Sequence, residues 1–482
     1  MTEELQYAGE FVVEKALLFT SEGVEIDLRK LLISIDIFEN ISTNAMTGTL
    51  IFNDPVAMLS TGPLIGQEYL SLRIKTPART KTEIFDYSED LFSITRVVDK
   101  TDLEGHQVYT LQFITHEGMK NMRTKIRRTL VGTESEIVEN LFLNDLQSKK
   151  DLHIEPTSGN RKIIPANLRP FDICNQLTKT ACSARENSPT YFFFENTRGY
   201  HFRSLESMYA QKPKFNFTHD SETGKSTSEG MENVISELNQ IQGYQANNGN
   251  DTAVNVRDGV YASKLITHDI FNKRLDTYTY NYHDSFEDQK HINYYDGGTK
   301  DNPMYSPAPL DKSDKSRVSD FPVKTFVSPI TRTSDFVHDG AKQQKKDDGT
   351  SGSFNFTPYD PERFLMSGMS RKLQIERGFT MNIQTKGNTS LNAGDVVTCT
   401  LDINASPDGE MYRDGKDRFF QGRFLVTAIR HTFDFGTKMH KSLMSLSKDS
   451  VGNESLSTSS VFIETRPLKT GRIIKDFYDG SE

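Results

Sequence analysis

In Leu31-Leu32-Ile33-Ser34-Ile35-Asp36-Ile37-Phe38, the residues Leu31, Ile33, Ile35 and Ile37 alternate with other positions. That is the period-two signature of a half-buried strand, in which successive side chains point to opposite faces. The same pattern continues outward. Leu50-Ile51-Phe52 reads as a further strand, and Asn53-Asp54-Pro55 breaks it. Tyr69 to Ile74 alternates again, as does Val108 to Thr115. Glu104-Gly105 lies between Val97-Val98 and Val108, and its glycine marks a hairpin turn. Four or more paired strands within ~90 residues predict a small barrel or sandwich.

Beyond Met119 the pattern changes. Thr133-Glu134-Ser135-Glu136 is a capping box, a threonine cap with a glutamate three residues on. Ile137, Val138, Leu141, Phe142 and Leu146 then recur at helical spacing. A second helix is expected from about Pro170 to Arg185, with Phe171, Cys174, Leu177 and Ala181 on one stripe and Pro170 in its first turn. Tyr191-Phe192-Phe193-Phe194 is a buried strand, and Gly199-Tyr200-His201-Phe202 returns as its hairpin partner. Together these make an α+β unit of ~100 residues. Residues 219 to 230 are a polar connector. Strand patterns resume at Val234 to Tyr244, Val260 to Leu265 and Lys273 to Tyr282. Residues 284 to 360 are rich in Asp, Lys, Asn, Ser, Gly and Pro, and Asp339 to Ser353 is almost wholly polar. A stretch of that kind is a partner-binding arm or disorder. A helix is expected over Pro361 to Ile375, followed by strands at Phe379 to Gln384, Asp395 to Leu401, Phe419 to His431 and His440 to Ser447. The final stretch is a polar tail with one apolar island, Val461-Phe462-Ile463.

A chain of 482 residues is long for one core, so two to four domains are expected. Acids number 66 and bases 57, a net charge of −9, which argues against a general nucleic-acid binder. The acidic start, with Glu3, Glu4 and Glu10, lacks the basic and apolar regions of a signal peptide. No stretch approaches the roughly 20 apolar residues of a membrane-spanning helix. The expectation is a chain made in a cytoplasm that stays soluble. Cys174, Cys182 and Cys399 are too few for a disulfide framework. On one helix, Cys174 and Cys182 would lie ~12 Å apart, too far to bridge.

No motif of catalysis stands out. There is no phosphate loop, dinucleotide fingerprint, nucleophile elbow or paired-histidine zinc motif. His116-Glu117 reads as a polar pair ending a strand. His268-Asp269 would need one pocket, yet neighbours on a strand point to opposite faces. His431 and His440 flank a hairpin from Phe433 to Lys438 and face each other across it as packing. Glu134, Glu136 and Glu139 crowd a helix start, where capping and the helix dipole explain them better than glycosidase chemistry. Lys120, Arg123, Lys125, Arg127 and Arg128 form a solvated or partner-facing patch without the aromatic interleaving of a base-stacking site. No catalytic, cofactor-binding or metal residues are assigned, and the chain is expected not to be an enzyme.

The order strand-rich, α+β, strand-rich with an insertion resembles the central hub of contractile-phage baseplates, the family of late-control protein D and the head of the type VI secretion spike. Four segments carry the likeness. The first is Thr49-Leu50-Ile51-Phe52-Asn53-Asp54 with Pro63-Leu64-Ile65-Gly66-Gln67-Glu68-Tyr69-Leu70-Ser71-Leu72. The second is the hairpin of Arg96-Val97-Val98 and Tyr109-Thr110-Leu111-Gln112-Phe113. Gly259-Val260-Tyr261-Ala262-Ser263-Lys264, with His268-Asp269, is similar to the opening of a second barrel. Asn392-Ala393-Gly394-Asp395-Val396-Val397 and Gly422 to His431 are similar to its closing strands.

The resemblance implies a β-dominated α+β fold: two small antiparallel β-barrel domains separated by an α+β domain, with a long polar insertion in the second barrel. The expected division is residues 1–120 for the first barrel, 121–230 for the α+β domain and 231–283 with 372–450 for the second barrel. Residues 284–371 are the insertion arm and helix, and 451–482 the tail. It further implies a structural protein of the virion's tail baseplate. Three chains would form a pseudo-sixfold ring that connects the tail tube to the central spike and lets DNA pass during ejection. The implied partners are two further copies, the tail tube protein, the central spike protein and other baseplate proteins. No stable nucleic-acid binding, no membrane span and no cofactor are expected. A peripheral receptor-binding tail protein and a tail-associated cell-wall hydrolase are the alternatives.

Overall fold

The computed structural model describes residues 7–20, 23–55, 64–77, 83–103, 106–219, 231–248, 251–270, 273–293, 302–303, 316–330, 344–345, 351–352, 361–401, 420–451, 466–467 and 472–474. The turn at Glu104-Gly105, the connector from 220 to 230, most of Asp339–Ser353 and the island Val461–Ile463 lie outside them.

The opening run becomes a strand over Leu32–Asn40. Its register against the next strand slips between Leu32 and Ser34, a bulge that changes the phase of the alternation. Leu32, Ile35 and Ile37 are therefore buried while Ile33 faces solvent. The first half of the chain supplies β1 (Val12–Phe19), β2 (Glu25–Asp27), β3 (Leu32–Asn40), β4 (Thr47–Asp54), β5 (Tyr69–Thr76), β6 (Glu83–Leu103) and β7 (His106–Thr115). They pair in the order β3-β4-β7-β6-β5-β1-β2. β6 is long because its first part pairs with β5 and its later part with β7.

The second strand-rich region does not form a barrel of its own. Ile241–Asn248, Phe379–Lys386, Met439–Lys448 and Gly422–Asp434 pair in that order, and Ala428–Asp434 then pairs with β3. The result, among the described residues, is one sheet of 13 strands that crosses both halves. This corrects the expectation of two separate barrels: neither half closes on itself among the described residues. The reason lies in one strand. Gly422–Asp434 gives the start of its free edge to Val396–Cys399 and the end of the same edge to β3. The cores interlock accordingly. Phe433 is wholly buried among the side chains under β1–β7, and Ile41 among those under the other half. Each such side chain contributes about 1.5–3 kcal/mol by leaving water.

The α+β unit sits on this sheet around its own core of Ile137, Val138, Leu141, Phe142, Phe171 and Phe202. The capping box is present: Glu136 N–H donates to Thr133 Oγ1, and Thr133 N–H donates to the Glu136 carboxylate. The expected helix to Arg185 stops at Leu177. Beyond it Lys179 and Thr180 N–H close tight turns onto the carbonyls of Gln176 and Leu177, and the Thr178 and Thr180 hydroxyls donate to the carbonyls of Asn175 and Leu177. Cys174 and Cys182 thus do not share a helix, though both are buried and free. The hairpin Tyr191–Asn196 and Gly199–Ser204 forms as expected and is joined in parallel by Leu152–Ile154.

Ala262–Asp269 is not part of the large sheet, contrary to its expected place at the opening of a second barrel. It pairs antiparallel with Arg274–Asn281 and parallel with Lys324–Ile330. One strand of this smaller sheet therefore comes from the stretch read as a polar arm. The helix expected from Pro361 is present and ends at Arg377.

Candidate functional site

The most concentrated chemistry lies where the α+β unit meets the large sheet. The chain leaves β7 at Thr115 and enters the helix His116–Arg123, which carries Glu117 inward. Glu195 ends the apolar run Tyr191–Phe194 on the facing hairpin. Lys150 Nζ lies 2.6 Å from Glu195 Oε1 and 2.9 Å from Glu117 Oε2, and 5.0 Å above the Tyr87 ring. Ser148 Oγ donates to Glu117 over 2.9 Å. Glu195 Oε2 also accepts from Met46 N–H at 2.9 Å and Thr115 Oγ1 at 2.6 Å. Burial alone would push the Lys150 ammonium down, but Glu195 and Glu117 override it and hold it above the ordinary lysine range. Burial pulls the two carboxylates up. Lys150 overcomes that for Glu117, which ends lowered, while Glu195 stays raised. The group is a closed ion cluster that ties β4, β7 and the α+β unit together.

A second junction uses Glu39 of β3. Glu39 Oε2 accepts from Ala393 N–H at 2.8 Å and Oε1 from Thr197 N–H at 3.2 Å. One carboxyl therefore touches the first half, the second half and the α+β hairpin. Next to it, Arg198 Nη2 lies 2.6 Å from Asp395, whose carboxylate also accepts from Asn392 N–H at 3.0 Å. Burial would raise Asp395, but Arg198 and Lys214 hold it below the usual range.

Burial pushes Glu39 up to about 8, with its two N–H donors opposing. The folded chain thus keeps a proton that the unfolded chain releases near the ordinary value of about 4.3. The stability this proton confers is complete below that value and is lost as pH rises to about 8. The melting temperature of the wild type should therefore fall relative to Glu39→Gln between pH 5 and 8. Parallel profiles from thermal melts across that window would contradict the assignment.

The residues singled out in the sequence scatter. Glu134 is buried and bound to Arg161 Nε at 2.8 Å, and Glu136 is occupied by its cap, so the two do not form an acid–base pair. His268 is exposed while Asp269 is buried, as neighbours on a strand require. His431 Nδ1 and His440 Nε2 do meet across their hairpin at 3.0 Å, inside the core. Burial pushes His431 down to about 4 and His440 further, so both rings are neutral and one donates to the other. In the basic run, Arg128 pairs with Asp145 and Arg127 donates to Asn167, while Arg123 and Lys125 face solvent. His116-Glu117 opens a helix and does not end a strand. Glu39, Lys150 and Glu195 were missed. An acid ending a wholly apolar run, as at Glu195, was the available signal. Among the described residues no group of three or more His, Cys, Asp or Glu is placed to hold a metal ion, and no helix is long and apolar enough to cross a membrane.

Beside the ion cluster a cleft of about 400 Å³ is lined by Tyr69, Asp90, His116 and Lys120 among others. Burial, and then the Glu117 charge, hold the Asp90 carboxyl above its ordinary range. Glu117, which also lines the cleft, is committed to Lys150 and Ser148.

One side of the large sheet carries a polar cross-strand row. Lys386, Lys441, Thr432, Asp36, Thr49, Gln112 and Arg96 form one cross-strand row over seven strands, passing from one half to the other through Thr432 and Asp36. Thr432 Oγ1 donates to Asp36 over 2.6 Å, and Arg430 binds the same carboxylate at 2.9 Å.

No family model matches the chain. Over 249 residues, 50% of this chain and 56% of the relative, it is 21% identical to the probable baseplate hub protein gp334 of Vibrio phage KVP40. The chain resembles a phage baseplate hub protein. It matches about half the length of this curated relative. Among solved structures, the tail protein of Neisseria meningitidis MC58 is 10% identical with a TM-score of 0.48, over 91% of this chain and 97% of that one. The tail protein of prophage MuSo2 from Shewanella oneidensis is 9% identical with a TM-score of 0.46, over 90% and 97%.

Proposed function

We propose that the chain is the structural hub of a phage tail baseplate: a homotrimer whose pseudo-sixfold ring connects the tail tube to the central spike and lets DNA pass. The observation that carries this is the seam between β3 and Ala428–Asp434. It fixes two strand-rich halves in one sheet, so three chains present six such halves at set angles. A ring of identical contacts closes only when the rotation per subunit fits, and a rigid seam holds that rotation. The similarity to a curated hub protein supports the same role.

The cross-strand polar row offers a wall for the lumen. It carries Lys386, Lys441 and Arg96 with a single carboxylate, Asp36, which Arg430 already binds, so its balance is basic. The boundaries set out from the sequence belong to this proposal with two changes. Asn216–His219, from the α+β span, pairs with Thr398–Leu401 in the large sheet. Ala262–Asp269 and Lys324–Ile330 group together outside the large sheet. The role proposed is structural and not enzymatic. It places the protein in the virion, with the tube and spike proteins and other baseplate proteins as partners.

Light scattering on the purified full chain should give three times the monomer mass of 54.7 kDa, and the trimer should bind tail tube protein from the same phage. A monomer without affinity for the tube protein overturns the proposal.

A further inference from the structure

The smaller sheet has one side without a covering layer among the described residues. Register puts Ile266 beside Thr277 and Val327, and His268 beside Leu275 and Pro329. Leu275 is 66% exposed and Val327 70%. The opposite side is core, with Leu265 wholly buried. Lys264, Thr279 and Thr325 complete the outer side, which therefore has an apolar centre and no carboxylate. Both outer strands, Arg274–Asn281 and Lys324–Ile330, are also edges of this sheet among the described residues. Monomeric proteins rarely leave such contiguous apolar surface open.

Charge selects the occupant. Among the described residues the only permanent charge on this side is the ammonium of Lys264, on a chain whose acids outnumber its bases by 66 to 57. An acid-rich second copy is complementary to it. Two such faces packed on each other would instead set Lys264 near its own like charge. We propose that this side of the Ala262–Asp269 sheet is a subunit contact, seated on a different, carboxylate-bearing surface of a second copy of the chain. A contact between unlike surfaces is the kind that builds rings. This deepens the trimer proposed above and rests on it.

The test is light scattering on the full chain across a concentration series, comparing wild type with Leu275→Glu/Val327→Glu and with Lys264→Glu. The first variant places two carboxylates in the apolar centre and should weaken assembly at least ~10-fold, about 1.4 kcal/mol. Lys264→Glu should weaken it in the same direction, with a loss that shrinks as salt is added. All three positions leave the core untouched, so melting of the isolated subunit should hold. If melting of the double variant shifts, Val327→Glu alone replaces it. A wild-type trimer with equally trimeric, normally melting variants overturns this contact and leaves the trimer standing. A monomeric wild type overturns the trimer itself, and the contact with it.

Discussion

Lys150→Met should lower the stability of the folded chain by about 3–5 kcal/mol, the scale on which breaking one partner out of a buried ion pair acts. The methionine fills most of the space, so the effect comes from charge. Glu117 and Glu195 would be left facing each other inside the junction, with their shared cation gone. Each would then be driven toward the neutral form by burial and by the other. The loss should therefore be largest near pH 8 and smaller near pH 5, where protons replace the missing ammonium. Urea unfolding at the two pH values reads both the size and the slope. The triple variant Lys150→Met/Glu117→Gln/Glu195→Gln should recover much of the loss, because no charge is then buried unpaired. A single variant as stable as wild type at pH 8 would show that the cluster does not hold the α+β unit to the sheet.

Gly199→Ala should cost about 3 kcal/mol or more, the range of severe backbone strain. Gly199 has φ +125°, where side chains are disfavoured, and an added Cβ would overlap the carbonyl oxygen of Asp151. That oxygen accepts from Tyr200 N–H at 2.9 Å and starts the parallel pairing of Leu152–Ile154 with the hairpin. Relief of the overlap must open this pairing. It also disturbs Thr197 and Arg198 on the same turn, which bind Glu39 and Asp395. Gly23→Ala is the control. Gly23 has φ +81° but nothing within 4 Å of an added Cβ, so it carries the conformational cost without the collision. Hydrogen exchange should show lost protection at Tyr200 and Phe202 in the first variant alone. Equal destabilisation by both alanines would remove the role given to Asp151.

These two sites mark where the sequence stops being informative. Local rules placed the strand at Leu32–Asn40, the capping box at Thr133, the hairpin around Gly199 and the facing of His431 and His440. Each depends on residues close in the chain. The partner of a strand does not. Period-two patterning marks Ala262–Asp269 and Gly422–Asp434 as strands equally well, yet one joins a three-stranded sheet and the other bridges the two halves. Lys150 follows Ser148 and Lys149, and in the sequence looks like a solvated turn. Its burial is decided by acids 33 and 45 residues away, which no local window contains. The helix from Pro170 was overextended for a related reason. Its apolar stripe continues to Ala181, but the backbone tightens into turns at Lys179 and Thr180, with threonine hydroxyls sharing the last carbonyls.

The pairing of β3 with Ala428–Asp434 also sets a clock. Arg430 and Asp36, joined across it, are 394 residues apart in the chain. A ribosome adding about 5–20 residues per second needs roughly 20–80 s to travel that distance. Throughout that interval one edge of β3 has been synthesised and its mate has not. An open strand edge is a template for pairing with any neighbouring chain. Nascent chains on one polysome are such neighbours, and products that terminate early never acquire the mate at all. Slow decoding or premature release should therefore send this protein into inclusion bodies more readily than its final stability would suggest, and fast completion should favour soluble subunits for assembly.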